Sequence, residues 1–479
     1  MILSRVRLSA SDPRILGALK NIRTELGLEQ SFPDSVEVEA KQRIALAKLP
    51  DNSMLDIPFF TVDPEGSMDL DQAMHLERRG DGYLVRYAIA CLVDLVRPGG
   101  AIDVEARNRG QTMYPPDGRV PLHPLSISEG AASLLPGEIR AAYVWTFQLD
   151  SAANVTETEL SLAKVRSVRR CSYEQVQQSI DSPNSELAFS LLREIGEKRK
   201  ALEILRGGAS LERPDQEVHQ TGNSFELVRR VPMPVEAWNA QISLMTGMEA
   251  AKIMLKGKVG ILRALPAPSH ESLDWFKRKA FALGFPWPTS KTYGEFVGSL
   301  DSNDPKQLAL IHSAASLFRG AGYVAFSGDV PKQPNQWAVA APYTHVTAPI
   351  RRLVDRFALE VCLSLSQGTE ISEWVQSALP ELPKLMAISD GISGRLDSAV
   401  ISCFEAAALS GRVAESFEAS VLTVNSHGGE IVIQELGITA QCVGELKLGS
   451  IVKVRLTKAD IQSGSIEFEV ENLSGAKAN

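Results

Sequence analysis

The sequence of 479 residues is poor in cysteine, with five widely scattered positions: Cys91, Cys171, Cys362, Cys403 and Cys442. This odd and dispersed set fits neither a disulfide framework nor a zinc site with paired ligands. The chain also lacks an uninterrupted apolar run of about 18 residues, so no membrane span is expected. The first twelve residues have no continuous apolar core of the kind that directs secretion, and we expect a cytoplasmic protein.

An excess of positive charge is missing as well. Lysine and arginine total 50 against 58 aspartates and glutamates, a formal net charge of −8. This balance excludes a uniformly basic surface that coats nucleic acid, but it leaves room for a local basic channel. The sequence has no Walker-type glycine loop or dinucleotide fingerprint, so no nucleotide cofactor is expected.

The spacing of apolar residues divides the chain into segments with different predicted structure. Residues 1–56 carry apolar positions three and four apart, which predicts a small helical domain or cap, with a helix-turn-helix-like unit as one alternative. Residues 57–410 mix short β-branched runs with helical stretches and form the main part of an α+β protein. Residues 411–472 contain five short alternating runs, typical of a closed oligonucleotide-binding (OB) barrel, and residues 473–479 are predicted to be a flexible tail.

An acidic loop at residues 61–72 carries the most informative residues. It follows the apolar run FFTV, and the side chains of Asp69 and Asp71 are predicted to point to the same side. The turn around Pro64 can bring Asp63 toward them. Convergent carboxylates repel each other unless a cation lies between them, and hard oxygen ligands suit Mg²⁺ or Mn²⁺. On spacing alone, a solvated acidic turn is the competing interpretation.

The wider sequence resembles the ribonuclease II/ribonuclease R (RNB) family of exoribonucleases. The acidic loop TVDPEGSMDLDQA is similar to the family signature, and further similar blocks follow in the family's order: IDVEARNRGQTMYPPDGRVPLHP, VRRCSYEQVQQSID, GASLERP and YTHVTAPIRRLVDR. The resemblance implies a catalytic domain with a mixed sheet surrounded by helices, followed by an RNA-binding OB barrel. It also implies a short form without the tandem cold-shock barrels of longer members.

The resemblance implies that the chain hydrolyses single-stranded RNA from its 3′ end to nucleoside 5′-monophosphates. Asp63, Asp69 and Asp71 match the positions that hold the catalytic metal, Mg²⁺ with Mn²⁺ as the alternative, and Asp71 is assigned a catalytic role. Gln72 stands where the family usually has a fourth aspartate. Gln72 can offer a carbonyl oxygen but no negative charge, so weaker binding of one ion is expected.

The same resemblance predicts the RNA contacts. Tyr114 matches an aromatic residue that packs against the terminal nucleotide, Arg351 is expected to stabilise the phosphoryl charge, and Arg352 to grip the RNA backbone. Pro349 suits the first turn of a helix, so nearby backbone N–H groups are expected to face the phosphate. Further predicted RNA contacts are Arg109, Lys453 and Arg455.

Two other functions remain open from the sequence. Gln72 is compatible with a catalytically weakened RNA-binding clamp that keeps the RNB fold. A metal phosphohydrolase that acts on small molecules is the other, although it leaves Tyr114 and the terminal barrel unexplained. The expected partner is single-stranded RNA, and the protein is expected to be a monomer.

Overall fold

A computed structural model describes residues 2–209, 215–315, 317 and 320–471 of the chain as an α+β protein. The strands are β1 (Ile2–Ser9), β2 (Ser53–Asp63), β3 (Gln72–Arg79), β4 (Gly82–Ala90), β5 (Ile139–Leu149), β6 (Val155–Ser172), β7 (Asp215–Thr221), β8 (Ser224–Arg230), β9 (Val259–Ala264), β10 (Gly322–Ser327), β11 (Asn335–Gln336), β12 (Ala341–Pro342), β13 (Ser416–Asn425), β14 (Gly428–Ile433), β15 (Ile438–Val443), β16 (Ile451–Asp460) and β17 (Ser465–Val470).

Helices cover much of the remaining chain. They are α1 (Pro13–Leu26), α2 (Asp34–Leu46), α3 (Ala101–Arg109), α4 (Tyr173–Asp181), α5 (Leu187–Leu205), α6 (Pro234–Gly257), α7 (His270–Ala282), α8 (Tyr293–Gly298), α9 (Pro305–Ala315), α10 (Leu353–Gln367), α11 (Glu373–Ala378) and α12 (Leu382–Leu409), with a π-helical turn at Ile127–Ala131. None of these helices is both long and apolar enough to cross a membrane.

The sheet expected at the centre of the protein closes into a barrel of strands β2 to β6. Neighbouring strands are antiparallel except β2 and β6, which run parallel. Strand β4 is buried along almost its whole length, because one face lines the barrel and the other is covered by the surrounding structure. Large aromatic side chains such as Tyr87 and Trp145 fill the main core. The acidic loop connects β2 to β3 at one end of this barrel.

The N-terminal segment is not purely helical, which corrects the prediction for residues 1–56. Helices α1 and α2 are present, and α1 begins after Asp12, whose carboxylate accepts a hydrogen bond from the Arg14 backbone N–H. Residues 2–9, however, form β1, which pairs antiparallel with β8 in a three-stranded sheet β1-β8-β7. The alternation in ILSRVRLS is the period-two pattern of a strand, and β2 already begins at Ser53.

The C-terminal strands β13 to β17 form a second closed barrel, as the five alternating runs predicted. Its interior is built around Phe417 and Phe468, whose ring centroids lie 5.7 Å apart in an edge-to-face arrangement. The tail predicted at residues 473–479 lies outside the described residues. All five cysteines are buried and unpaired.

Candidate active site

Two aspartates of the acidic loop are held at the end of the barrel formed by β2 to β6. Asp63 is the last residue of β2, and Asp71 directly precedes β3. Asp71 is 2% exposed, and its Oδ1 accepts a 2.7 Å hydrogen bond from the Ile350 backbone N–H. Burial raises the pKa of Asp71 well above its ordinary value and that of Asp63 to about 6, against the opposing effect of the Arg351 guanidinium.

These two carboxylates fit a divalent cation. Oδ2 of Asp63 and Oδ2 of Asp71 are both buried and accept no hydrogen bond, although Arg351 Nε lies 3.3 Å from the latter atom. Buried anionic oxygen atoms without donors are costly unless a cation compensates them. Mg²⁺ is commonly held by one or two carboxylates and completes its shell with water and substrate phosphate. The donor set therefore suits an ion of this kind.

Asp69 has hydrogen-bond partners that Asp63 and Asp71 do not share. Its Oδ1 accepts a hydrogen bond from Arg119 at 3.1 Å, and its Oδ2 accepts one from the Tyr114 hydroxyl at 3.3 Å. Within the described ranges, no group of three or more acidic, histidine or cysteine side chains is close enough to share an ion. The three-carboxylate convergence expected from the sequence is therefore not present in this conformation.

Gln72 is fixed by a contact of its own. Its side-chain amide nitrogen donates a hydrogen bond to the backbone carbonyl of Thr347, at the start of the TAPIRR segment. An aspartate at this position would bring a negative charge toward that carbonyl oxygen. The amide thus joins the acidic loop to the arginine segment, and it adds no charge for a second ion.

Arg351 and Arg352 have different partners. The Arg351 guanidinium lies beside Asp71, and its side chain is 49% exposed, so it can reach a ligand. Arg352 instead binds Asp355 through Nε at 2.5 Å and Nη2 at 2.8 Å. Asp355 is fully buried, and this ion pair restricts the Arg352 side chain.

The backbone N–H groups near Pro349 do not form the predicted phosphate site. Helix α10 begins at Leu353 rather than at Pro349. The Ile350 N–H donates to Asp71, and the Ala348 N–H donates to Asp355 at 2.7 Å. These donors hold the acidic side chains in place, which leaves the Arg351 side chain as the group that faces the site.

Tyr114 and Arg109 belong to the same sequence block but differ in access. Tyr114 is 54% exposed, with its hydroxyl directed at Asp69, so its ring is open to a ligand. The prediction of an RNA contact for Arg109 is corrected, because its guanidinium donates to Glu105 and to two backbone carbonyls, those of Pro121 and Ser31. It also stacks 3.9 Å from the ring centroid of Phe32.

Lys453 and Arg455, the predicted RNA contacts of the C-terminal barrel, both have an acidic partner. Lys453 and Arg455 alternate along β16 and therefore point to the same side. Both contact Glu471, with N–O distances of 3.0 Å and 3.1 Å, and their side chains remain at least half exposed.

The sequence reasoning did not single out Arg119 and Glu129. Arg119 binds both Asp69 and Glu129, which lies on the π-helical turn. The available signal was the Pro-Pro-Asp-Gly turn between Tyr114 and Arg119, which predicts a tight hairpin that places the two side chains together.

A family model described as "RNB domain" matches residues 52–361, which is more than half of the chain. The chain belongs to the RNB family. A second model, "RNase II-type exonuclease C-terminal S1 domain", matches residues 415–471.

Two named relatives extend the RNB match. Ribonuclease R of Escherichia coli (strain K12) is 27% identical over 337 residues, covering 65% of this chain and 40% of that protein. The probable exosome complex exonuclease RRP44 of Caenorhabditis elegans is 27% identical over 322 residues, covering 64% of this chain and 34% of that protein. The chain spans 32–41% of the length of the exosome exonuclease relatives it matches.

Solved structures share the RNB fold of this chain. Mycoplasma genitalium RNase R in complex with ribose methylated single-stranded RNA matches with a TM-score of 0.85 at 18% identity, covering 96% of this chain and 78% of that chain. Yeast Ssd1, described as a pseudonuclease, matches with a TM-score of 0.72 at 18% identity, covering 93% and 57%. Because a pseudonuclease shares the fold, the fold alone does not establish cleavage.

Proposed function

We propose that this RNB-family chain is a divalent-metal-dependent 3′→5′ exoribonuclease that releases nucleoside 5′-monophosphates from single-stranded RNA. The observation that carries the proposal is the pair of buried oxygens on Asp63 and Asp71 that accept no hydrogen bond, beside the half-exposed Arg351 side chain. Family membership and relatives named as exonucleases support the same reaction class.

The residues of the site divide the work of binding and reaction. Asp63 and Asp71 would hold the ion, which supplies Lewis acidity for hydrolysis of the phosphodiester when bound. Arg351 would contact the non-bridging phosphate oxygens and stabilise the charge that grows on them, since its guanidinium is fixed beside Asp71. The exposed Tyr114 ring offers a stacking surface for the terminal base, and stacking of this kind tolerates any sequence.

The remaining arginines would act at a distance from the reacting phosphate. Arg352 keeps N–H groups beyond the two bound to Asp355, so it can contact the RNA backbone while Asp355 orients it. Lys453 and Arg455 would hold upstream RNA through phosphate contacts, with Glu471 as the carboxylate that RNA displaces.

Digestion of a 3′-tailed single-stranded RNA tests the proposal. In Mg²⁺ or Mn²⁺ we expect mononucleotides as products, and the Asp71→Asn variant should bind the RNA without shortening it. Absence of mononucleotides with either ion, from a protein of verified fold, would contradict the proposal.

An RNA-binding clamp is the second candidate, and the Gln72 contact favours it. The amide supplies no charge for a second ion and is committed to Thr347. A clamp would bind RNA with salt-sensitive affinity and leave its length unchanged. Gln72→Asp distinguishes the two candidates, because an acidic residue there should create cleavage in a clamp but only adjust an existing rate in a nuclease.

A further inference from the structure

A short hairpin at residues 113–120, here called the Tyr114 hairpin, brings two side chains to Asp69. Met113 and Val120 exchange two backbone hydrogen bonds of 2.9 Å, and the Gly118 N–H closes the turn onto the Pro115 carbonyl at 3.2 Å. Tyr114 and Arg119 therefore occupy facing positions next to the Met113–Val120 pair, where side chains on two antiparallel strands point to the same side. Both contact Asp69.

The contacts of the hairpin occupy both carboxylate oxygens of Asp69. Arg119 Nη1 lies 3.1 Å from Oδ1, and the Tyr114 hydroxyl lies 3.3 Å from Oδ2. Asp63 and Asp71, by contrast, each keep one oxygen that accepts no hydrogen bond, although Arg351 lies 3.3 Å from that of Asp71. An ion and the Arg119 guanidinium compete for Asp69, because both are attracted by the negative charge of the same carboxylate and Arg119 holds that carboxylate in its present orientation.

Glu129 gives Arg119 a second carboxylate. It contacts the Arg119 guanidinium from the π-helical turn, and its side chain is only 23% exposed. When Asp69 turns away, Arg119 keeps this partner and is not left as an unpaired, half-buried charge, which would be costly. Neutralising Glu129 would leave Asp69 as the carboxylate that Arg119 holds.

We propose that Arg119 is a positioning residue that holds Asp69 away from the other carboxylates in the metal-free protein, and that Glu129 sets how readily Arg119 releases it. This inference rests on the proposed function, since it assigns Asp69 to the same ion as Asp63 and Asp71. It makes Arg119 a competitor of the metal rather than a ligand of the substrate.

Mn²⁺ titration followed by electron paramagnetic resonance, without RNA, tests the inference independently of activity. Arg119→Met should tighten Mn²⁺ binding about fivefold, a coupling typical of competing contacts. Glu129→Gln should weaken binding about threefold, because Arg119 then holds Asp69 more firmly. The double variant should behave like Arg119→Met, since Glu129 acts through Arg119.

The opposite signs separate this role from a merely structural one, which would weaken Mn²⁺ binding in both single variants. Arg86→Met is the matched control, because Arg86 pairs with Glu77 on the barrel and should leave Mn²⁺ binding unchanged. Equal or weaker binding in folded Arg119→Met overturns the inference. If that variant does not fold, binding by Glu129→Gln that is as tight as wild type overturns it instead.

Wild-type and Asp71→Asn proteins distinguish failure of this inference from failure of the proposed function. Mn²⁺ binding that Asp71→Asn abolishes supports the metal site, whatever Arg119→Met shows. If wild type shows no Mn²⁺ binding sensitive to Asp71→Asn, the metal-dependent function itself fails.

Discussion

Asp63→Asn should stabilise the metal-free protein while it removes metal binding. Burial raises the pKa of Asp63 from 3.8 to about 6. One pKa unit corresponds to about 1.4 kcal/mol, so ionised Asp63 costs the folded protein about 3 kcal/mol at pH 8. The asparagine has a similar shape without the charge, and it should increase the free energy of unfolding by up to that amount.

The stability difference between Asp63→Asn and wild type should depend on pH. Between about pH 4 and pH 6 the folded protein keeps a proton on Asp63 that the unfolded chain has already lost. The stabilising effect of that proton is complete below about pH 4 and is lost as the pH rises through 6. The difference between Asp63→Asn and wild type should therefore be near zero at pH 4 and largest above pH 7.

Addition of Mg²⁺ should reverse the order of stability. A ligand at 1,000 times its dissociation constant stabilises the folded state by about 4.1 kcal/mol, which exceeds the cost of about 3 kcal/mol, and only wild type has both carboxylates to bind it. Chemical denaturation at several pH values, with chelator and with Mg²⁺, measures the effect of the variant, its pH dependence and the stabilisation by Mg²⁺. Asp81→Asn, at an exposed turn, is the control. A difference in the free energy of unfolding between Asp63→Asn and wild type that does not change with pH would refute the reasoning.

Three further predictions concern residues with different roles. Burial raises the pKa of Glu405 from 4.5 to about 7, so the folded protein loses a stabilising proton as the pH rises through 7. Glu405→Gln should therefore increase the free energy of unfolding by up to about 3 kcal/mol above pH 7 and have no effect below about pH 4.5. Chemical denaturation at several pH values measures both. Tyr114→Ala should weaken binding of short 3′ RNA by about 1–3 kcal/mol in a fluorescence assay, whereas Tyr114→Phe should keep most of the affinity; equal losses in both would contradict stacking. Arg109→Ala should lower the free energy of unfolding by about 2–4 kcal/mol, since three hydrogen bonds and the Phe32 contact are lost. The RNA affinity of the folded variant, measured by filter binding, should stay within about twofold of wild type.

Local periodicity predicted the regular parts of the fold, because it reports which face of an element is buried. The five alternating runs after residue 411 correspond to the five strands of the C-terminal barrel. The same reasoning missed β1, where a strand pattern lies next to a helix pattern in the first 56 residues. Its partner β8 is more than 200 residues away, so nothing nearby in the sequence marks the pairing.

Side-chain partners in the site were harder to predict, because they depend on contacts between distant segments. Asp71 meets Ile350 and Arg351 across about 280 residues of sequence. Arg109 and Arg119 lie ten residues apart in one sequence block, yet one is committed to Glu105 and backbone carbonyls while the other reaches Asp69. Arginine side chains are long and have many accessible rotamers, so the sequence does not reveal which partner each one binds.

The N-terminal helix α1 supports the site through the Tyr114 hairpin. Arg23 of α1 forms an ion pair with Asp117 at the tip of the hairpin. Met113 and Val120 at its base are buried in the same cluster as Leu19 of α1. Because both ends of the hairpin rest on α1, a shift of the helix would move Tyr114 and Arg119 relative to Asp69. The N-terminal segment thus contributes to the geometry of the acidic loop through contacts with the hairpin.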